Sequence, residues 1–87
     1  MTLITLLEGT DMTQIVTIDV QRLQPHQQRV VAEKDELLER LMRLRAFIDG
    51  PVYATIDKEE QRRLVRQAVL MGRLADVLLE RITAFVE

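Results

Sequence analysis

The stretch that decides the fold is residues 58–85, which read KEEQRRLVRQAVLMGRLADVLLERITAF. Small or apolar side chains recur along it at alternating steps of four and three: Leu64, Ala68, Met71, Ala75, Leu78, Ile82 and Phe85. This spacing places them on one face of an α-helix. Asp57 precedes the stretch as an N-cap, and Glu60 follows it three positions later in the pattern of a capping box. We therefore predict a long helix over about residues 58–85.

A second set of apolar side chains lies beside the first on the same helix: Val65, Leu70, Leu74, Val77, Leu79 and Val86. A helix that packs against one partner needs an apolar stripe of roughly 100°. This helix is apolar over most of its circumference, and a single hairpin would leave part of that surface exposed. Soluble monomers rarely tolerate so large an apolar patch. The sequence therefore predicts a homo-oligomer built from helical hairpins.

Upstream, residues 25–48 predict a first helix. Pro25 suits the first helical turn, where its missing N–H costs nothing. The sequence Gly50-Pro51 ends the helix near Ile48. Apolar positions between these limits follow the helical period: Val30, Leu37, Leu41, Leu44 and Ile48, with Val31, Leu38 and Phe47 widening the stripe. The predicted fold is all-α, a long antiparallel helical hairpin over residues 25–87 with helices at about 26–48 and 58–85.

Residues 1–24 form an N-terminal arm of less regular sequence. Leu3–Leu7 is mostly apolar, and residues 8–11 interrupt it. Residues 13–20 are β-branched and loosely alternating, which favours an extended segment. Because a single short strand is marginal, we expect it either to pair with its copy in another subunit or to pack as an irregular arm. Met12 offers an alternative translation start.

The composition excludes several classes of function. The 87 residues make one small domain and include no cysteine, no serine and one histidine. Thiolate metal sites, cysteine–histidine pairs and serine triads are therefore absent, and no glycine-rich phosphate loop occurs. We expect neither an enzyme nor a metal or cofactor. The net charge of −2 argues against DNA binding, and the N-terminal apolar run is too short to span a membrane.

Two groups of basic residues remain as candidates for ligand binding. The first is His26 with Gln27, Gln28, Arg29, Lys34 and Arg40. An imidazole can stack on a base and an arginine can hold a phosphate. The alternative is a plain helix N-terminus in which Arg29 pairs with Glu33 or Glu36. The second group is Arg62, Arg63, Arg66, Arg73 and Arg81. Arg81 lies toward the apolar side of its helix, where it either pairs with a carboxylate of another subunit or faces an anion at a symmetry axis.

The order of residues across both helices resembles a known family. The pattern is His26-Gln27-Gln28-Arg29-Val30-Val31, Glu33-Lys34, Glu36-Leu37, Leu41, Leu44 and Phe47-Ile48, followed by Leu64, Gln67, Met71, Leu78 and Glu80-Arg81-Ile82. It is similar to the phage anti-CBASS cyclic-oligonucleotide sponges over about residues 25–85. The N-terminal arm lies outside the resemblance.

The resemblance implies a homohexamer that binds cyclic dinucleotides and cyclic trinucleotides in the host cytoplasm without hydrolysing them, which keeps the CBASS effector silent. It places dinucleotide pockets between subunits near the start of the first helix. His26 falls about where the family has a base-stacking aromatic residue, and Arg40 about where it has a phosphate-binding lysine. Arg29 and Lys34 are further phosphate candidates, and Arg81 is assigned to a separate trinucleotide site.

The residues also admit a second function. The protein could be an oligomeric helical protein-interaction module of a phage, with no nucleotide ligand, that blocks a host factor through its apolar second helix.

Overall fold

The computed structural model describes residues 3–7 and 15–86. Its elements are two strands, β1 and β2, and two helices, α1 and α2, with short 3-10 turns: β1 Leu3–Leu7, β2 Ile15–Asp19, turn Val20–Arg22, α1 Pro25–Ile48, turn Tyr53–Thr55 and α2 Lys58–Ala84. The two long helices pack against each other as a hairpin, which confirms the predicted helical architecture.

The start and end of α1 follow from local chemistry. Before the helix, the Gln24 N–H donates to Oε1 of Gln27 at 3.0 Å, which satisfies a backbone donor at the entry to the first turn. At the other end, the backbone of Gly50 does not adopt the left-handed conformation. Pro51 therefore supplies the stop, because it has no N–H to continue the helix.

The N-cap of α2 is formed as predicted. The Asp57 carboxylate accepts the Glu59 N–H at 3.1 Å, which satisfies one of the free donors at the helix start. The Glu60 carboxylate does not return to the cap. It accepts from Nε of Arg63 at 2.6 Å instead, so only half of the capping box is present.

The core lies between the two helices. Val30 and Val31 of α1 are buried against Leu78 and Ile82 of α2, so the start of α1 lies beside the end of α2. Other apolar side chains pack around this cluster: Val20, Leu23, Leu37, Leu79 and Phe85. The predicted buried face of α2 is confirmed, since Ala68 and Ala75 are buried with them.

Nearer the turn of the hairpin, Gly72 faces α1. A Cβ at this position would lie 3.4 Å from the Arg45 guanidinium and 4.0 Å from Cδ2 of Leu41. The helices therefore approach closely here but leave space for a methyl group. The contact also fixes the antiparallel alignment, with the last third of α1 beside the middle of α2.

The N-terminal arm differs from the expectation. β2 is extended as the sequence favours, but its partner is β1 of the same chain: the two form an antiparallel ribbon with Leu3 opposite Asp19 and Leu7 opposite Ile15. Pairing within one chain needs only the closure of a short connection, which costs less entropy than recruiting a second molecule. Met12 lies outside the described residues.

Candidate functional site

His26 lies in the first turn of α1 and is exposed. The two glutamines that follow it take part in local structure. Gln27 accepts the Gln24 N–H, and Nε2 of Gln28 donates to the Leu23 carbonyl at 3.0 Å. Neither glutamine is therefore positioned to read a base. The exposed polar groups at this end of α1 are His26 and Arg29.

Arg29 is exposed and, within the described part of the chain, forms no ion pair. The sequence had offered Glu33 and Glu36 as its partners. Glu36 instead accepts from Nη2 of Arg40 at 2.6 Å, an i,i+4 pair with both side chains largely exposed. Arg29 therefore keeps its guanidinium available to a ligand or a neighbouring subunit.

Arg40 lies on the same face of α1 as His26 and Glu33, because positions seven residues apart nearly coincide around a helix. A groove of about 210 Å³ joins this face to α2. Its lining residues are Glu33, Glu36, Leu37, Arg40 and Leu74. This side of α1 is therefore continuous with the Leu74 side of α2.

Arg81 is exposed near the end of α2. It is seven residues beyond Leu74, so it lies on the same side of the helix. Because the end of α2 packs beside the start of α1, Arg81 lies at the same end of the hairpin as His26 and Arg29. We call the shared surface the open face and define it by His26, Arg29, Arg40, Leu70, Leu74, Val77 and Arg81.

Lys34 is placed differently from the other candidates. Its side chain lies on the core side of α1 with Val30 and Leu41, and the residue is only 6% exposed. Its ammonium donates to the Asp35 carboxylate, which is itself exposed. Lys34 therefore lies inside the hairpin, while the remaining candidates are on its surface.

The structure brings together three of the five predicted residues. His26, Arg29 and Arg81 lie at one end of the open face, and Arg40 lies farther along it. Fourteen residues of helix separate His26 from Arg40, which corresponds to about 21 Å.

A larger groove on the same face was not predicted as a site. It has a volume of about 440 Å³. Its lining residues are Arg63, Arg66, Gln67, Leu70, Met71 and Leu74. The sequence contained a signal for it, because Arg63, Leu70 and Val77 are spaced by seven residues, as are Gln67, Leu74 and Arg81. That signal was interpreted only as an apolar excess.

The apolar part of the open face is uncovered. Leu70 is 57% exposed, Leu74 46% and Val77 49%. On the opposite flank of α2, Val65 and Val69 are also exposed. The predicted apolar excess of α2 therefore remains at the surface of the hairpin.

Comparison with known proteins identifies the family. The Sequestin family model matches residues 24–84, which include all of α1 and α2. The chain belongs to the Sequestin family, the phage anti-CBASS cyclic-oligonucleotide sponges, which bind their ligands and are not catalytic. Searches of curated proteins and of solved structures returned no match. Among the described residues, no helix is long and apolar enough to cross a bilayer, and no carboxylate or histidine cluster suits a metal.

Proposed function

We propose that this Sequestin is a phage immune-evasion sponge that binds cyclic dinucleotides and cyclic trinucleotides in the host cytoplasm and blocks CBASS signalling. The observation that carries the proposal is the family match over residues 24–84, since that span holds every candidate ligand residue. The exposed cations of the open face suit binding of phosphates. The chain contains no cysteine and no serine, so these cations have no cysteine or serine nucleophile beside them. This suits binding without hydrolysis.

In this proposal the dinucleotide pocket lies between subunits. His26 stacks on a base, and Arg40 and Arg29 hold phosphate. Along one helix the backbones of His26 and Arg40 are about 21 Å apart, and a pocket between subunits lets Arg40 of the partner subunit approach the base stacked on His26. Closed symmetry would then repeat the pocket around the assembly.

Lys34 has a different part in the proposal. Its burial and its bond to Asp35 favour a role in the core of the hairpin, with phosphate left to the exposed arginines. Arg81 belongs to the separate trinucleotide site. It lies on the apolar side of α2, where an arginine without a carboxylate partner among the described residues is open to an anion.

The assembly in this proposal is a homohexamer. The support is the exposed apolar surface of α2, which burial between subunits would remove from water. Multi-angle light scattering measures the mass directly. We expect a closed oligomer, and a monomer at micromolar concentration would contradict the shared pockets.

Calorimetric titration with cyclic GMP–AMP and with cyclic tri-adenylate tests the function. We expect both to bind and to be recovered intact after incubation. Absence of heat with both ligands at high micromolar concentration would refute the sponge.

Arg40 has a matched control in Arg43. Each pairs with the glutamate four residues earlier, Glu36 or Glu39, and both arginines are largely exposed. Arg40→Ala and Arg43→Ala therefore remove similar local contacts, but only Arg40 lines the groove with Leu74. A charge-assisted hydrogen bond contributes about 1.5–3 kcal/mol, so Arg40→Ala should weaken cyclic GMP–AMP binding at least tenfold and Arg43→Ala should not.

A second function is favoured by one observation, the exposed side chains of Leu70, Leu74 and Val77. They would also suit a phage protein-interaction module that has no nucleotide ligand. A monomer or small oligomer that binds neither cyclic nucleotide would favour this alternative.

A further inference from the structure

A groove of about 420 Å³ lies where the turn Tyr53–Thr55 meets the first half of α2. We call it the turn groove and define it by its lining residues, Tyr53, Lys58, Gln61, Arg62, Val65 and Arg66. Every charged side chain in this lining is a cation. Lys58 is about 35 Å from Arg81 along the axis of α2, so the turn groove lies far from the end of the hairpin that carries His26, Arg29 and Arg81.

Three hydrogen bonds hold the wall of the turn groove against α2. Nε2 of Gln61 donates to the carbonyls of Tyr53 at 2.8 Å and of Ile56 at 3.0 Å. The Tyr53 hydroxyl donates to the Gln61 carbonyl at 3.3 Å. The Tyr53 ring is therefore positioned beside Val65, which is 42% exposed, and the two side chains offer an apolar surface on which a flat ring can pack.

Two cations of the turn groove, Lys58 and Arg66, lack a carboxylate partner. Four other arginines on the long helices pair with a glutamate three or four residues away: Arg40, Arg43, Arg62 and Arg63. No carboxylate lies three or four residues from Lys58 or Arg66 on α2, and neither forms an ion pair within the described part of the chain. Asp57, beside Lys58, accepts the Glu59 N–H as the helix cap. The charges of Lys58 and Arg66 are therefore open to an anion.

The spacing of the cations suits a chain of phosphates. Lys58, Arg62 and Arg66 follow one another at four residues, which is about 6 Å per step along α2. Lys58 and Arg66 are therefore about 12 Å apart along the axis, and their long side chains can approach the same extended anion from its two ends. Arg62 keeps its exposed pair with Glu59, so Lys58 and Arg66 are the two residues that the anion needs.

We propose that the turn groove binds a nucleoside triphosphate, with the base on Tyr53 and Val65 and the triphosphate between Lys58 and Arg66. Aromatic rings stack on bases, and lysine and arginine hold phosphate oxygens through charge-assisted hydrogen bonds. Ligand pockets have volumes of about 300–1,000 Å³, and the turn groove at about 420 Å³ suits a single nucleotide better than a cyclic trinucleotide. The site goes beyond the proposed function, because it needs neither a cyclic ligand nor a second subunit.

Nuclear magnetic resonance of labelled tyrosine tests the site, because Tyr53 is the only tyrosine in the chain. ATP is the probe, added to millimolar concentration without divalent cations. We expect the Tyr53 ring signals to shift upfield and to saturate, since a stacked base lies over the ring. Inorganic triphosphate should bind more weakly and shift the signals less. No shift with ATP would overturn the site, and equal binding of inorganic triphosphate would overturn its assignment to a nucleotide.

Calorimetry with ATP measures what each lining residue contributes, on variants whose circular dichroism is unchanged. Lys58→Ala and Arg66→Ala should each weaken ATP binding at least tenfold, because each removes a charge-assisted hydrogen bond. Tyr53→Leu should weaken it about fivefold or more, the lower limit for the loss of base stacking. Tyr53→Phe keeps the ring and should retain most of the affinity. Equal losses in Tyr53→Leu and Tyr53→Phe would contradict stacking on the ring.

Arg73 and Arg63 are the matched controls for Arg66. Arg73 is exposed on the same side of α2, seven residues farther along, and forms no ion pair within the described part of the chain. Arg63 lines the neighbouring groove with Leu70, which Arg66 also borders. Arg73→Ala and Arg63→Ala should each leave ATP binding within about twofold, as expected for exposed charges outside the site. A loss in Arg63→Ala as large as that in Arg66→Ala would place ATP in the neighbouring groove and overturn the proposal.

Competition separates the turn groove from the sites of the proposed function. ATP affinity should be unchanged in Arg81→Ala and in the presence of saturating cyclic GMP–AMP or cyclic tri-adenylate. Displacement of ATP by either cyclic ligand, or its loss in Arg81→Ala, would show that ATP occupies a cyclic-nucleotide site and would overturn the turn groove as a separate site. If the protein binds ATP but neither cyclic ligand, the proposed function fails and the turn groove stands.

Discussion

Replacing Lys34 by methionine separates the two roles that a basic residue on α1 can have. Lys34 is buried, and its ammonium bonds to an exposed carboxylate, Asp35. If the residue is structural, an apolar side chain of similar length should serve as well. If it holds a ligand phosphate, the loss of its charge should remove binding and leave folding intact.

The size of the effect follows from what each substitution removes. Lys34→Ala deletes three buried methylenes at about 0.8 kcal/mol each, which amounts to about 2.4 kcal/mol of unfolding free energy. Lys34→Met keeps three heavy atoms in the same space and removes the buried charge. Replacing a buried ion by a packed apolar side chain is neutral or stabilises by about 1–4 kcal/mol. Asp35 is 60% exposed, so water satisfies its carboxylate when the pair is lost.

Thermal unfolding measures the change in stability caused by each substitution. The protein concentration is kept fixed, because the stability of an oligomer depends on concentration. For a domain of this size, about 1 kcal/mol shifts Tm by roughly 4–8 °C. Lys34→Ala should therefore lower Tm by about 10–20 °C, and Lys34→Met should leave it unchanged or raise it. Cyclic GMP–AMP binding should survive in Lys34→Met. A methionine variant that unfolds normally but no longer binds the ligand would refute the structural role and make Lys34 a phosphate ligand.

Three further predictions concern the site and the helices. His26→Ala should weaken cyclic GMP–AMP binding in calorimetry by about five- to 150-fold, because base stacking contributes about 1–3 kcal/mol. His26→Phe should retain most of the affinity, and equal losses in both variants would contradict stacking. Ile82→Ala should lower the unfolding free energy by about 2–5 kcal/mol in denaturant titration, since Ile82 is 0% exposed. The control is Val52→Ala, in the exposed connection between the helices, which should change the unfolding free energy little. Asp57→Ala should lower the unfolding free energy by about 1 kcal/mol and Asp57→Asn by much less, because the Asp57 side chain caps α2. Equal stability of the two variants in the same titration would show that the cap contributes nothing.

The buried face of α2 was predictable because its signal is local. The alternating steps from Leu64 to Phe85 fix the angular position of each residue about its own helix axis. The same period places Lys34 between Val30 and Leu41 on the core side of α1. Its burial was missed because the chemical character of lysine was given more weight than its position. The ribbon was missed for another reason, since the alternation of residues 13–20 indicates an extended segment but does not identify the strand that pairs with it.

The candidate site was predictable residue by residue but not as an arrangement. Resemblance and chemistry selected His26, Arg29, Arg40 and Arg81 one at a time. Neither revealed that three of them lie at one end of the hairpin, or that the groove beside Leu74 continues to Arg63.

The sequence by itself determined the two helices, the core face of each and the apolar surface that a single hairpin leaves uncovered. Helical periodicity suffices for that, because it depends only on neighbours within a few turns. Only the tertiary structure decided which side chains of α1 lie beside which side chains of α2. The antiparallel packing of Val30 and Val31 on Leu78 and Ile82 brings the first turn of α1 to Arg81 and withdraws Lys34 from solvent. The alignment between two helices is set by how their side chains interlock, and no spacing within either helix contains it.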